Sequence, residues 1–270
     1  MTEERGSVAE AATHQVALEA YGVRVLVSTN SAAFFELMQR VFPPGWTPCD
    51  PAAVEQRFHI RTTDDGFFDV EVDEDETTAS CDLETALGVL ETRLRTYVAL
   101  QAPGSTFVHA GVAASGGRAI VIPGPAFSGK TTLVAALVRA GADYFSDEYA
   151  VLDDHGWVSP YARRLSVRSE DYSARTEYHV SEFGGVAATD PLLVGLVVVT
   201  HYLPGAEWRP RRLTAGEGVL ALLANTVSAQ ERPEEALRAV SNAVQDAVVL
   251  EGERGDAAPL AGRLLDIVTA

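Results

Sequence analysis

The sequence has little cysteine, no long apolar run and a deficit of positive charge, and the first two shortages already exclude several classes of protein. Its two cysteines, Cys49 and Cys81, lack the spacing of metal ligands, which favours structural or free thiols. No apolar stretch approaches the ~20 residues of a membrane-spanning helix. Residues 1–15 also lack the charged and then apolar pattern of a secretion signal. We therefore expect a cytoplasmic protein.

The charge balance excludes another class of partner. The chain has 21 Lys and Arg residues against 38 Asp and Glu residues, a formal net charge of −17. Non-specific nucleic-acid binding needs a basic surface that displaces counterions, and anionic membranes attract basic surfaces for the same reason. We therefore expect neither nucleic acid nor membrane as a partner, while assembly into a homo-oligomer stays open.

One segment matches the phosphate-binding pattern G-x-x-x-x-G-K-[ST]. Its residues are Gly124, Pro125, Ala126, Phe127, Ser128, Gly129, Lys130 and Thr131, followed by Thr132. Glycines let backbone N–H groups point at a phosphate, and the next helix adds its positive N-terminal end. Lys130 is placed to reach the β- and γ-phosphates, and Thr131 to offer a hydroxyl to Mg2+. The flanks agree, with an apolar strand at 118–123 and a helix at 132–140, so ATP or GTP with Mg2+ is the predicted ligand.

Two adjacent acids follow the predicted helix. Asp147 and Glu148 come between the apolar segments 144–146 and 149–152, whereas the long apolar strand 192–200 ends without an acid. A strand that delivers two carboxylates beside the phosphate loop would order Mg2+ or accept a proton. In so acidic a chain the pair could instead be a solvated turn.

Three segments in this order resemble the C-terminal catalytic domain of HPr kinase/phosphorylase and related proteins. They are His109-Ala-Gly-Val112, the loop from Gly124 to Thr131, and Ser146-Asp147-Glu148. The resemblance implies an α/β fold with a phosphoenolpyruvate-carboxykinase-like mixed β core and flanking helices. It also implies that His109 and Lys130 belong to the active site, that Thr131 touches Mg2+, and that Glu148 takes the proton of the acceptor hydroxyl.

The sequence departs from that family at several positions. Glu148 stands where the family has Asp, and Thr132 stands where HPr kinases carry an acid. The downstream Glu-Ile-Arg-Gly segment, which supplies another metal ligand, has no convincing counterpart. Residues 182–185, Glu-Phe-Gly-Gly, are a candidate remnant or equally a polar helix end closed by glycines. Kinase chemistry is therefore predicted, and phosphorolysis is not.

The predicted reaction is transfer of the γ-phosphoryl group to a hydroxyl of a protein or peptide Ser/Thr, or of a small molecule. Its catalytic residues are His109, Lys130, Asp147 and Glu148, with Thr131 and Asp147 as metal ligands. Either acid could be the base, because adjacent acids titrate together. The alternative is a nucleotide-binding regulatory module with little or no transferase activity, in which the acids only hold Mg2+.

We expect a boundary near residue 104, with an α+β region over 1–104 and the nucleotide-binding catalytic domain over 105–270. The first region is predicted to contain strands within 16–27, a helix at 31–41, a hairpin over 58–72, an exposed acidic run at 69–76 and a helix over 82–102 ended by Gly104. In the second, we expect a hairpin at 151–158, helices within 219–223, 233–246 and 259–268, and a strand at 247–250.

Two basic segments remain without an assigned role. Arg163, Arg164, Arg168 and Arg175 could bind phosphate or steer an acidic acceptor, or form a solvated face. Residues 208–212 are expected to form a loop beside the 194–199 strand, not a nucleic-acid site.

Overall fold

The computed structural model describes residues 13–72, 76–77, 80–168 and 175–270. The chain separates into two compact units, Met1–Pro103 and Gly104–Ala270. Part of the predicted acidic run, residues 73–75, lies outside the described residues, as do residues 169–174. Among the described residues, no helix combines the length and apolarity needed to cross a membrane.

Where the structure describes it, the first unit is built on a six-stranded sheet with two α-helices. Its strands are β1 His14–Ala20, β2 Val23–Thr29, β3 Thr47–Pro48, β4 Gln56–Thr62, β5 Phe68–Val72 and β6 Glu76–Thr77, and its helices are α1 Ala32–Met38 and α2 Leu83–Gln101. The strand order is β3-β1-β2-β4-β5-β6, with β2 and β4 parallel and the other pairs antiparallel. The predicted strands, hairpin and helices of this region are therefore confirmed.

Helix α2 shows how the local sequence determines such an element. Asp82 caps its first turn by accepting a hydrogen bond from the backbone N–H of Thr85 at 2.8 Å. Leu90, Leu94 and Val98, four residues apart, are fully buried along one face. The helix ends at Gln101, so the prediction that Gly104 ends it was wrong. Pro103 comes first, and a proline disfavours the helical conformation of the residue before it.

In its described residues, the second unit is built on an eight-stranded sheet, a separate two-stranded sheet and four α-helices. Its strands are β7 Ser105–Ser115, β8 Arg118–Pro123, β9 Asp143–Ser146, β10 Tyr149–Asp153, β11 Trp157–Ser159, β12 Leu165–Arg168, β13 Arg175–Tyr178, β14 Leu192–Tyr202, β15 Arg211–Arg212 and β16 Val248–Arg254, and its helices are α3 Lys130–Arg139, α4 Ala215–Leu223, α5 Pro233–Val244 and α6 Ala257–Thr269. The predicted α/β class is confirmed.

The order of the large sheet positions the site. It runs β11-β10-β7-β8-β14-β16-β15, and β9 also pairs with β7. Strands β8, β14 and β16 are parallel, so their carboxyl ends meet at one edge of the sheet. Strand β7 is antiparallel to β8, and its Ala110 lies opposite Pro123, the last residue of β8. The first half of β7 therefore reaches the same edge.

Apolar side chains cover both faces of this sheet. On one face α3 and α6, through Leu133, Leu137 and Leu264, pack on Ile122 and Leu196. The opposite face packs against α4 and α5. Alternate residues of each strand supply the two cores, because strand side chains alternate between faces.

Two further expectations can be compared with these elements. The β10–β11 hairpin is confirmed, and Gly156 in its turn has a φ of +82°, which glycine adopts readily. The loop predicted at 208–212 is only partly correct: residues 208–210 lie outside any strand or helix, whereas Arg211 and Arg212 form β15, which pairs with β16. Strand β15 pairs with β16, the last of the parallel strands, and its two residues are too few to give a strand pattern in the sequence.

Candidate nucleotide site

The predicted phosphate loop lies between β8 and α3. Gly129 caps the helix with a φ of +83°, and Phe127 also has a positive φ of +67°. A Cβ atom on Gly124 would lie 2.7 Å from Oγ of Ser128. The backbone conformation therefore favours glycine at position 129, and at Gly124 the Ser128 side chain leaves little room for a Cβ atom. Helix α3 begins at Lys130, two residues earlier than predicted.

Lys130 closes over the start of this loop. Its Nζ donates hydrogen bonds to the carbonyl oxygens of Gly124 at 2.7 Å and Pro125 at 2.8 Å. Burial lowers the pKa of Lys130, while the nearby carboxylates of Glu148 and Asp147 oppose that shift. Lys130 is also the only lysine among the 270 residues, and the other 20 of the 21 Lys and Arg residues are arginines.

Strand β7 brings His109 to the same edge. His109 and Gly111 point to one face of the sheet because they are two residues apart. That face carries α3: a Cβ on Gly111 would lie 2.6 Å from a methyl carbon of Val134 and 3.4 Å from Cβ of Lys130. The carbonyl oxygen of His109 also accepts a hydrogen bond from the N–H of Gly124 at 3.2 Å. The histidine strand and the loop are thus directly joined.

Asp147 lies between β9 and β10 and is the buried acid of the pair, with 8% of its surface exposed. Its Oδ2 accepts hydrogen bonds from Oγ1 of Thr131 at 3.1 Å and from the N–H of Ser166 at 3.3 Å. Its Oδ1 accepts one from the hydroxyl of Tyr144 at 3.1 Å. Burial raises the pKa of Asp147, and these three donors act in the opposite direction.

Glu148 is more open and faces His109 instead. Its Oε1 lies 3.8 Å from Nδ1 of His109. The His109 ring lies against the ring of Tyr149, its cross-strand neighbour, with centroids 4.8 Å apart. The two acids therefore have different surroundings: Asp147 is tied to the loop helix, and Glu148 is paired with the histidine.

The remaining predicted nucleotide-binding residues form the outside of the loop. Pro125, Ala126 and Phe127 are exposed, as is Thr132, and 69% of the Phe127 surface is accessible. Ser128 is half-buried, and among the described residues its Oγ is one of the few buried side-chain oxygens without a hydrogen-bond partner.

Other predicted positions lack a site-forming geometry. The Glu182 carboxylate accepts a hydrogen bond from the N–H of His179 at 2.6 Å and caps the short 3-10 helix Val180–Phe183, which Gly184 closes with a φ of +75°. This is the helix-end interpretation of residues 182–185. In the basic segment 208–212, Arg211 pairs with Glu217 and Glu251, and Arg209 pairs with Glu207.

Of the predicted arginine cluster, only part can be described. Arg163 is half-buried and Arg164 is exposed. The side chains of Arg168 and Arg175 lie outside the described part of the structure.

Sequence reasoning missed three residues that support the site. Tyr144 and Ser166 hold Asp147, and Arg254 lies behind the loop. Arg254 is 2% exposed; its Nη2 donates to the carbonyl oxygen of Gly129 at 3.0 Å and its Nη1 to that of Gly255 at 3.1 Å. The predicted strand ended at Leu250, whereas β16 continues to Arg254. Arg254 lies near the loop because of the order of the strands in the sheet, which the local sequence does not indicate.

The oxygen atoms at the loop fit a magnesium ion. Mg2+ prefers oxygen ligands and is usually held by one or two carboxylates together with substrate phosphates and water. Thr131 and Asp147 supply such a hydroxyl and carboxylate side by side. Within the described residues there is no group of three or more His, Cys, Asp or Glu side chains that could hold a metal by themselves. A nucleotide would have to complete the coordination.

Comparison with known proteins adds a distant structural likeness. No family model matches the sequence, and no curated protein matches it. Among solved structures, the chain is similar to the HPr(Ser) kinase/phosphatase from Coxiella burnetii, with 16% sequence identity and a TM-score of 0.35. The match covers 60% of this chain and 93% of that one. At this level the likeness carries no argument about function.

Proposed function

We propose that the protein is a P-loop kinase of the HPr-kinase-like type, which transfers the γ-phosphoryl group of ATP or GTP to a hydroxyl with Mg2+ as cofactor. The observation that carries the proposal is the Thr131–Asp147 hydrogen bond beside the His109–Glu148 pair. Phosphoryl transfer needs charge neutralisation at the phosphates and a base at the attacking hydroxyl. In this proposal the two acids divide these tasks.

The loop side of the site would bind and orient the triphosphate. Lys130 would exchange its two carbonyl partners for phosphate oxygens, and the N-terminus of α3 would add its N–H groups. Mg2+ would supply additional charge neutralisation at the β- and γ-phosphates, held by Thr131 and Asp147. Arg254 would keep Gly129, and with it the first turn of α3, in position.

Glu148 would accept the proton. The acceptor oxygen forms a bond to the γ-phosphorus while the bond from that phosphorus to the β,γ-bridging oxygen breaks, and its electrons leave with the nucleoside diphosphate. The proton of the hydroxyl passes to the Glu148 carboxylate. His109, 3.8 Å away, would orient that carboxylate. The acceptor proposed first is a Ser or Thr of a protein or peptide, and a small-molecule alcohol is the second.

The single lysine makes a sharp test of nucleotide binding available. An acyl-phosphate derivative of ATP transfers its acyl group to an amine held near the phosphates, and Lys130 is the only side-chain amine of the chain. We expect acylation at Lys130 that excess MgATP suppresses, read by peptide mass spectrometry. Acylation that MgATP does not suppress would contradict a nucleotide site at the loop.

Transfer is tested separately from binding. A peptide library containing Ser and Thr should gain phosphate from γ-labelled ATP in the presence of Mg2+, and a matched library with Ala at those positions should not. A panel of small alcohols tests the second acceptor class. MgATP binding without transfer to any of these would favour the regulatory module over the kinase.

A further inference from the structure

The position of the acids sets the direction in which a bound nucleotide would lie. The loop follows β8; His109 on β7 and the acids between β9 and β10 lie on one side of β8, whereas β14 and β16 lie on the other. If the γ-phosphate faces the acids, the opposite end of the nucleotide extends across the carboxyl ends of β14 and β16. In that orientation, the side chains at the ends of β14 and β16 would contact the ribose and base.

Those two ends present a tyrosine and an arginine in register. Tyr202 is the last residue of β14, Arg254 is the last of β16, and the two are direct partners in the parallel pair. The Cζ atom of Arg254 lies over the Tyr202 ring, 5.3 Å from its centroid. Nη2 of the same guanidinium donates a hydrogen bond to the Gly129 carbonyl oxygen. The centre of the Tyr202 ring therefore lies within ~10 Å of the loop.

The two side chains differ in exposure in a way that suits stacking. Arg254 is almost fully buried, whereas 54% of the Tyr202 surface is exposed. A guanidinium over an aromatic face is an attractive contact, and here it leaves more than half of the Tyr202 surface accessible. The buried guanidinium of Arg254 therefore connects the loop to an exposed aromatic side chain. This side chain lies on the side of β8 away from the acids, where the nucleobase would extend.

We propose that Tyr202, supported by Arg254, is the surface on which the nucleobase stacks, and that the preferred phosphoryl donors are purine nucleoside triphosphates. This inference rests on the proposed nucleotide site. Stacking of a base on an aromatic side chain is sequence-tolerant, because every base has a π-face, and larger bases gain more contact. The ring therefore favours ATP and GTP over UTP and CTP, and any of these over inorganic tripolyphosphate, which has no base.

The test compares ligands with and without a base. Dissociation constants for MgATP, MgUTP and magnesium tripolyphosphate are measured by calorimetry on the wild type, Tyr202→Ala, Tyr202→Phe and Leu203→Ala. Leu203 is the matched control, since it is the next residue and is also exposed. Tyr202→Ala should weaken MgATP about tenfold and tripolyphosphate less than about twofold. It should also abolish the preference for MgATP over MgUTP, while Tyr202→Phe and Leu203→Ala retain wild-type values.

The outcomes separate the two proposals. Wild-type protein that binds neither MgATP nor tripolyphosphate would overturn the nucleotide site itself. Binding of both ligands with the same ratio of affinities in the wild type and Tyr202→Ala would overturn only the stacking inference. If Tyr202→Ala lowers the melting temperature, the wild-type comparison still decides. A wild type that binds MgATP no more tightly than tripolyphosphate excludes a base contact, and one that binds MgATP no more tightly than MgUTP overturns the purine preference.

Discussion

Thr131 donates a hydrogen bond to Asp147 over 3.1 Å, joining the first turn of the loop helix to the turn between two strands 16 residues further along. The bond brings a hydroxyl and a carboxylate to one point beside Lys130. It also leaves Glu148, the next residue, directed at His109 on the neighbouring strand.

Lys130→Ala should abolish nucleotide turnover. Loss of the cation leaves developing phosphate charge unpaired, which costs on the order of 100-fold or more in rate. The rate of ADP formation from MgATP, with the Ser/Thr peptide library present, measures the effect. Arg139→Ala, at the other end of α3, is the matched control and should keep the wild-type rate. Near wild-type turnover in Lys130→Ala would contradict a role of the loop in the reaction.

Glu148→Gln should separate binding from transfer. The substitution keeps the size of the side chain but removes the base, which contributes roughly 100- to 10,000-fold to such a step. We expect MgATP affinity within several-fold of the wild type and loss of transfer to the peptide library. Asp147→Asn should instead weaken Mg2+-dependent nucleotide binding, because Asp147 is the acid bonded to Thr131. A Glu148→Gln enzyme with the wild-type transfer rate would exclude Glu148 as the base.

His109 should act only through Glu148. His109→Ala is expected to slow transfer about tenfold in the wild type but to add nothing in the Glu148→Gln background, as coupled residues behave in a double-mutant cycle. Equal effects in both backgrounds would show that His109 acts independently. His155→Ala, in the exposed turn of the β10–β11 hairpin, is the control for loss of a histidine.

The buried Asp147 carboxylate should make the nucleotide-free protein less stable as pH rises. Burial raises the pKa of this acid, so the folded state binds its proton more tightly than the unfolded chain, whose value is near 3.8. The stabilising protonation is present below pH 3.8 and is lost as pH rises through the folded pKa. Asp147→Asn should therefore have a higher melting temperature than the wild type at pH 7.5, by about 2–4 °C for each kcal/mol gained in the free energy of unfolding. The difference in melting temperature should become smaller towards pH 4.

That comparison is made in chelator, without nucleotide. Asp143→Asn, in β9 and exposed, is the matched control and should show no pH-dependent gap from the wild type. Addition of MgATP should reverse the order at pH 7.5, because only the wild type retains the carboxylate proposed to hold the metal. Without ligand, Asp147→Asn could instead melt below the wild type at every pH. That result would contradict the prediction that burying the Asp147 charge destabilises the folded protein.

Gly129→Ala should disrupt the loop from behind. The new Cβ would collide with the guanidinium of Arg254, and the φ of +83° is unfavourable for alanine. We expect MgATP affinity to fall about tenfold or more. Gly205→Ala is the matched control: its φ is +76°, but nothing lies within 4 Å of the added carbon. A wild-type affinity in Gly129→Ala would show that the Arg254 contact does not position the loop.

Much of this unit could be predicted because its signals are local. The loop depends on glycines and a helix start within a dozen residues, and the buried strands and helices carry their own apolar periods. The ends of elements were less predictable: β16 extends four residues beyond its apolar run to Arg254, and polar side chains at a sheet edge give no periodic signal.

Local sequence was enough to predict the glycine-rich loop, the candidate residues around it and the α/β class, since each follows from short-range geometry or patterning. The burial of Asp147 against Thr131 and the contact of Glu148 with His109 became known from the three-dimensional arrangement of the strands. The same arrangement also decided that Tyr144, Ser166 and Arg254 support the site and that Tyr202 lies on its far side. These contacts join residues brought together by strand order, and strand order is set by packing of the whole sheet, not by any local segment.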